Sequence, residues 1–101
     1  MKVSIFIPTG NRATSLDKTL QTLTTQSYKR FEVLIVDYRS SDNTGEIIKK
    51  YSKRLEIKVV RQKTKGLAKA ANLALKQAQG KIFIRTDDDV LMNRDWLKAI
   101  C

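Results

Sequence analysis

Apolar positions in this chain fall into two alternating kinds of run. "KVSIFIP" (2–8), "FEVLIVD" (31–37), "EIKVVRQ" (56–62) and "KIFIRT" (81–86) are short stretches rich in Val, Ile and Phe. The first two are almost continuously apolar, as strands covered on both faces should be. Between them the spacing changes to that of a helix. Leu16, Leu20 and Leu23 fall at i, i+4 and i+7, predicting a helix over about 15–25 with Thr14 or Ser15 as its cap. Asn43 and Glu46 have capping-box spacing ahead of Ile47, Ile48 and Tyr51. Gly66 and Gly80 bracket a third helix, with Leu67, Ala71, Ala74, Leu75 and Ala78 at helical spacing. Asn93 caps a last helix carrying Trp96, Leu97 and Ile100. By the same spacing Tyr51 and Trp96 belong to the core.

Strands alternating with helices of these lengths predict a parallel sheet with right-handed crossovers and helices on both faces. The expected fold class is α/β: Rossmann-like, three-layer α/β/α, with four parallel strands in the order 3-2-1-4. At 101 residues and 42% hydrophobic content the chain builds one small domain with a real core. The last helix stops at Cys101 with its apolar face still open, so residues 1–101 are expected to be one domain truncated within that helix.

Composition narrows the chemistry. The only cysteine is Cys101, which excludes an intramolecular disulfide, and there is no histidine. His-ligated zinc and an imidazole general base are thereby removed. Carboxylates, hydroxyls, backbone amides and a bound ion remain. The N-terminus lacks a secretory pattern and no stretch approaches the roughly 20 apolar residues of a membrane span. A cytoplasmic location is the expectation, with the cytoplasmic membrane face left open. The formal net charge of +10 fits either a polyanionic partner or a very soluble surface. The basic residues are dispersed with few interleaved aromatics, which speaks against nucleic acid as the partner. Lys49, Lys50, Lys53 and Arg54 read as a solvated face.

In an open parallel sheet, ligands bind at the carboxyl ends of the strands, where helix N-termini point free amides. Here those ends carry Pro8, Thr9, Gly10, Asn11 and Arg12; then Asp37, Tyr38, Arg39, Ser40 and Ser41; then Lys63, Thr64, Lys65 and Gly66; and finally Asp87, Asp88 and Asp89. Hydroxyls and an aspartate suit a nucleoside, and cations suit phosphates. Adjacent carboxylates suit a hard divalent cation, Mn²⁺ or Mg²⁺, that bridges them to a diphosphate and relieves their mutual repulsion. Taken alone, the triplet also fits a turn whose aspartates cap the next helix or pair with nearby lysines.

These blocks together, "VSIFIPTGNR", "FEVLIVD", "SSDNTGEIIKKY" and "KGLAKAANLALKQAQGKIFIRTDDDV", resemble the nucleotide-binding half of family 2 glycosyltransferases of the GT-A fold. The resemblance runs from about Lys2 to Trp96. It implies metal-dependent transfer of a sugar from a nucleotide-diphosphate donor to an acceptor, be that a saccharide, a lipid or a protein. It implies that Pro8, Thr9 and Asp37 hold the base and ribose, with Asn11 and Tyr38 beside them. Asp87, Asp88 and Asp89 then take the metal and the donor diphosphate, with Lys65 and Gly66 opening the third helix near the donor. The acceptor base of the family lies in a second half that these residues do not include, so the catalytic base is unassigned and the chain alone is expected to transfer poorly.

The chain departs from the family pattern at named positions. Gly10 replaces an aromatic, Tyr38-Arg39 replaces Asp-Gly, Ala71 replaces an arginine, and Thr86 stands where the leading aspartate of the acidic motif belongs. One hypothesis is that Tyr38 supplies the stacking face lost at Gly10. Two other functions remain open: a degenerate nucleotide-binding module without turnover, and a basic α/β domain that binds nucleic acid or an anionic membrane. Self-association as a homodimer, through an exposed edge and the final helix, is open as well.

Overall fold

The computed structural model describes residues 1–100. Four strands, β1 (Val3–Thr9), β2 (Phe31–Tyr38), β3 (Ile57–Gln62) and β4 (Ile82–Arg85), form one parallel sheet in the order β3-β2-β1-β4. Four helices, α1 (Ala13–Thr24), α2 (Thr44–Tyr51), α3 (Leu67–Gln77) and α4 (Trp96–Ile100), connect or follow them. This is the expected architecture and strand order. Among the described residues, no helix is long and apolar enough to cross a membrane.

The period-two geometry of a strand divides the core into two. Odd positions Val3, Ile5 and Ile7 of β1 and Phe31, Val33 and Ile35 of β2 meet Leu16, Leu20 and Leu23 of α1, Ile48 and Tyr51 of α2, and Leu97 of α4. Even positions Phe6, Leu34 and Val36 meet Ala70 and Ala74 of α3. One face is thus covered by three helices and the other by one. The single helix lies close because alanines face the sheet. This corrects the expected apolar face of α3, since Leu67 and Leu75 point away and are 49% and 57% exposed.

Helix capping also differs from the sequence expectation. No side chain of Thr14, Ser15 or Asn43 caps α1 or α2; Asp42 serves both. Its Oδ2 accepts the Ala13 amide at 3.1 Å, and its Oδ1 accepts the Thr44 amide at 3.1 Å together with the Thr44 hydroxyl. One carboxylate therefore satisfies free amides at two helix N-termini, where the helix dipole also favours a negative charge. These hydrogen bonds, led by that from the Thr44 hydroxyl and only partly offset by desolvation, hold the Asp42 carboxyl below its usual range. Asn93 lies in the turn ahead of α4, two residues before the cap position at Asp95, and its Oδ1 accepts the Asp95 amide at 3.0 Å.

The end of the sheet away from the strand tips contains a buried carboxylate. Glu32 is fully buried; its Oε2 accepts the Ser4 hydroxyl and the Gln79 amide, each at 2.6 Å, and its Oε1 lies 3.0 Å from Lys58 Nζ. Ser4 Oγ in turn accepts the Gly80 amide at 2.8 Å. Only glycine fits there, because a Cβ on Gly80 would sit 2.6 Å from the Ser4 nitrogen. Burial pushes the Glu32 carboxyl up, but the bonds from Ser4, Gln79 and Lys58 outweigh it and hold the group below the ordinary carboxylate range. The network fastens the start of β4 to β1, a pairing of only four residues from Val3↔Ile82 to Phe6↔Arg85.

Candidate donor site at the strand tips

From that anchored start β4 runs to the opposite end of the sheet, where the Thr86 amide still reaches the Phe6 carbonyl at 3.0 Å. The chain then turns and delivers the acidic triplet beside the end of β1. Asp88 is buried, and its Oδ2 accepts the Thr9 hydroxyl at 2.8 Å. Its Oδ1 lies 3.4 Å from Arg12 Nε, and the Nη2 of the same guanidinium donates to Asp89 Oδ2 at 3.1 Å. Asp87 turns the other way and pairs with Arg85 at 3.0 Å. Thr9, Arg12 and the three aspartates, with Pro8, Gly10 and Tyr38, line an open cleft of about 420 Å³. Six of the residues singled out in the sequence, Pro8, Thr9, Tyr38, Asp87, Asp88 and Asp89, are therefore brought together.

Gly10 and Tyr38 meet across this cleft. A Cβ on Gly10 would lie 2.9 Å from the Tyr38 carbonyl oxygen and 3.6 Å from the Tyr38 Cβ. The backbone of β2's last residue thus occupies the space a side chain at position 10 would need. An aromatic ring cannot stand at 10 unless Tyr38 shifts, and the Tyr38 side chain, half-buried, is the aromatic that lines the cleft instead.

The remaining candidates lie elsewhere. Asp37 is buried beside Thr9 in the β1–β2 register, and its Oδ1 accepts the Ser40 amide and hydroxyl. Its Oδ2 lies 3.9 Å from Arg61 Nη1, and Asp37 lines an adjoining cavity with Arg39, Arg61, Gln62 and Lys63. Asn11 does not line the cleft. It adopts a left-handed φ of 54°, donates its amide to Ser40 Oγ at 2.9 Å, and accepts the Ser41 amide on Oδ1 at 2.7 Å. It clamps the β1–α1 loop to the β2–α2 loop. Lys65 and Gly66 also lie outside the cleft, in the turn before α3, where the Gly66 carbonyl accepts Gln62 Nε2 at 2.9 Å.

Arg12 is the cleft residue the sequence reading did not assign. The signal was present, since it follows Asn11 at a strand tip, but its task depends on carboxylates 76 and 77 positions away. The donor set is all oxygen, which suits Mn²⁺ or Mg²⁺. Among the described residues, no three His, Cys, Asp or Glu side chains converge on one point. The arrangement fits a cation held by one or two carboxylates with the remaining ligands from substrate phosphates and water, the usual pattern for these ions, and not an all-protein cage.

Comparison with known proteins places this geometry. Residues 4–101 match the sequence profile of Glycosyl transferase family 2. Poly(ribitol-phosphate) beta-N-acetylglucosaminyltransferase TarS of Staphylococcus aureus is 37% identical over 102 residues, covering 97% of this chain and 18% of TarS. The structure of S. aureus TarS 1-349 in complex with UDP-GlcNAc superposes with a TM-score of 0.91 at 36% identity, over 99% of this chain and 30% of that one. Mannosyltransferase PcManGT from Pyrobaculum calidifontis, in complex with GDP-Man and Mn²⁺, gives a TM-score of 0.85 at 31% identity, over 95% of this chain and 32% of that one. The chain thus spans less than a third of each of these relatives. With the family profile matched over residues 4–101 and the whole fold superposing at a TM-score of 0.91, the chain belongs to glycosyl transferase family 2.

Proposed function

We propose that this chain is the donor-binding part of a glycosyltransferase, holding a nucleotide-diphosphate sugar in the cleft between the tips of β1, β2 and β4. The observation that carries the proposal is Asp88. Its carboxylate is buried at the floor of an open cleft, oriented by the Thr9 hydroxyl and balanced only by the exposed guanidinium of Arg12, a partner that a cation bound in the cleft can replace. Asp88 and Asp89 are the carboxylates that would hold a divalent cation there. When bound, such a cation supplies Lewis-acid stabilisation of the negative charge on the departing nucleoside diphosphate.

The chain's own residues divide the remaining tasks. Pro8 and Thr9 form the floor, and Tyr38 offers a ring face to the base. Asp37, fixed by Ser40, presents a carboxylate toward the nucleoside from the neighbouring cavity. Arg12 bridges Asp88 and Asp89 from an exposed position, so it is free to turn toward phosphate oxygens when a cation takes over the carboxylates. Every carboxylate lining the cleft already has an arginine or hydroxyl partner. None is left to take the proton of an acceptor hydroxyl, and the general base comes from outside these residues.

The relatives bind UDP-GlcNAc and GDP-Man, so the test is calorimetry with UDP and GDP, each with and without Mn²⁺. Mn²⁺-dependent binding of one of them, accompanied by little or no sugar transfer by the 101-residue chain, is the expected result. No binding of either nucleotide in the presence of Mn²⁺ would overturn the proposal.

A further inference from the structure

Arg12 stands on a backbone that is tied down on both sides. The residue before it, Asn11, is clamped to Ser40 and Ser41, and the amide of the residue after it, Ala13, is held by Asp42 at 3.1 Å. The Arg12 carbonyl itself accepts the Leu16 amide at 3.0 Å in the first turn of α1. The guanidinium at the end of this fixed stem is half exposed and spans two carboxylates. It reaches Asp88 through Nε at 3.4 Å and Asp89 through Nη2 at 3.1 Å. The other arginine near the triplet behaves differently. Arg85 pairs with Asp87 and does not line the cleft. One guanidinium on a fixed pivot thus balances the two carboxylates that would hold a divalent cation.

We propose that Arg12 is a built-in counter-ion that makes binding of the divalent cation and binding of the nucleoside diphosphate depend on each other. This rests on the donor-site reading above. With neither ligand, the guanidinium balances Asp88 and Asp89. A divalent cation arriving alone has to displace it, and the freed guanidinium then faces a like charge with no partner. A diphosphate arriving alone meets three aspartates, with the guanidinium already engaged by two of them. With both present, the carboxylates face the cation while the cation and the guanidinium face phosphate oxygens, so every charge has a partner. Each ligand therefore raises the affinity for the other, by the same factor in both directions.

A purely structural tie between the β1–α1 loop and the acidic turn explains the geometry less well. Asp88 is already fixed by the Thr9 hydroxyl at 2.8 Å, and the end of β4 by the Thr86 amide on the Phe6 carbonyl at 3.0 Å. A guanidinium that is half exposed adds little stability through its ion pairs. The side-chain type fits an exchange of partners. The planar fork of arginine spans two carboxylates, and it matches phosphate oxygens equally well.

The test is Mn²⁺ binding to the 101-residue chain, read from the electron paramagnetic resonance of free Mn²⁺, without nucleotide and with saturating UDP or GDP. Arg12→Ala removes the guanidinium. Arg54→Gln removes an exposed charge in the turn after α2, outside the cleft, as a charge-matched control. Loss of an exposed ion-pair competitor should let Arg12→Ala bind Mn²⁺ alone about threefold more tightly. Loss of the bonds from the guanidinium to phosphate should weaken UDP or GDP binding to the Mn²⁺-loaded chain about tenfold, measured by calorimetry. The factor by which nucleotide raises Mn²⁺ affinity should fall by the same tenfold or so, while Arg54→Gln changes neither quantity. The opposite signs are the signature, since a variant that had merely lost its fold would bind both ligands more weakly. Unchanged or weaker Mn²⁺ binding by Arg12→Ala, or an undiminished coupling factor, would overturn the proposal. Failure of the wild-type chain to bind either nucleotide with Mn²⁺ sinks the donor reading. Mn²⁺-dependent nucleotide binding that Arg12→Ala leaves intact sinks only the role of Arg12.

Discussion

Replacing Glu32 tests whether the buried network at one end of the sheet sets up the cleft at the other. In Glu32→Gln an amide oxygen can still accept from Ser4 and Gln79, but the charge is gone and an NH₂ faces the Lys58 ammonium. Bonds to a charged acceptor contribute about 1.5–3 kcal/mol and neutral ones about 1. Weakening two of them and losing the Lys58 pair, whose ammonium is partly exposed and can turn to solvent, should cost about 2–3 kcal/mol. For a domain this small that is a fall of roughly 10–20 °C in Tm. Glu32→Ala leaves the donors facing a void and should cost about 3–5 kcal/mol, close to total stability for a protein of this size. Urea unfolding followed by circular dichroism gives the comparison. The pH dependence has a definite sign. The folded carboxyl is held below its ordinary value of 4.5, so its stabilisation is complete above that pH and disappears as pH falls through the lowered folded value. The gap between wild type and Glu32→Gln should therefore be full at pH 7 and shrink below about pH 4. Because β4 leans on this network for its register, the folded Gln variant should also bind nucleotide with Mn²⁺ more weakly. A cost under about 0.5 kcal/mol at neutral pH, or a gap that does not change on acidification, would refute the reasoning.

Other outcomes follow from the same geometry. Asp88→Asn keeps an acceptor for the Thr9 hydroxyl but removes the charge; calorimetry should show the Mn²⁺-dependent part of nucleotide affinity reduced about tenfold or more, near 1.4 kcal/mol. Tyr38→Ala removes the aromatic ring that lines the cleft and should weaken nucleotide binding by about 1–3 kcal/mol if the base stacks there, with unchanged affinity excluding that role. The Tyr51 phenol is pushed up to about 12, by burial first and then by its hydrogen bond to Asp17. A raised phenol pKa adds stability below pH 10 that fades as pH rises toward 12, so over that window wild type should lose more stability than Tyr51→Phe, in which only the titrating lysines contribute, as measured by thermal melts.

Much of the fold is legible in one dimension. The apolar runs at 2–8 and 31–37 read as doubly covered strands, and they become the two central strands with both faces buried. Leu16, Leu20 and Leu23 read as one helix face and are that face. Solvent exposure repeats with the period of the local backbone, so burial leaves its mark along the chain. The order of blocks at the strand tips likewise identified the family, because a parallel sheet collects the residues after each strand at one edge whatever lies between them.

Contacts between residues far apart in the chain left no such mark. Asp42 displaces Asn43 as the cap and serves two helices, Asn11 clamps two loops, and Arg12 spans Asp88 and Asp89. Glu32 becomes the anchor of β4, and the face of α3 that meets the sheet is the alanine face. Each depends on register and on helix rotation, which place groups 29 to 77 positions apart within hydrogen-bonding distance. The sequence alone determined which stretches are strands and helices and that the sheet is parallel, and it named the candidate strand-tip residues, six of which gather in one cleft. Only the tertiary structure decided which carboxylate faces which cation, because hydrogen bonds and ion pairs act over a few ångströms in space and carry no period along the chain.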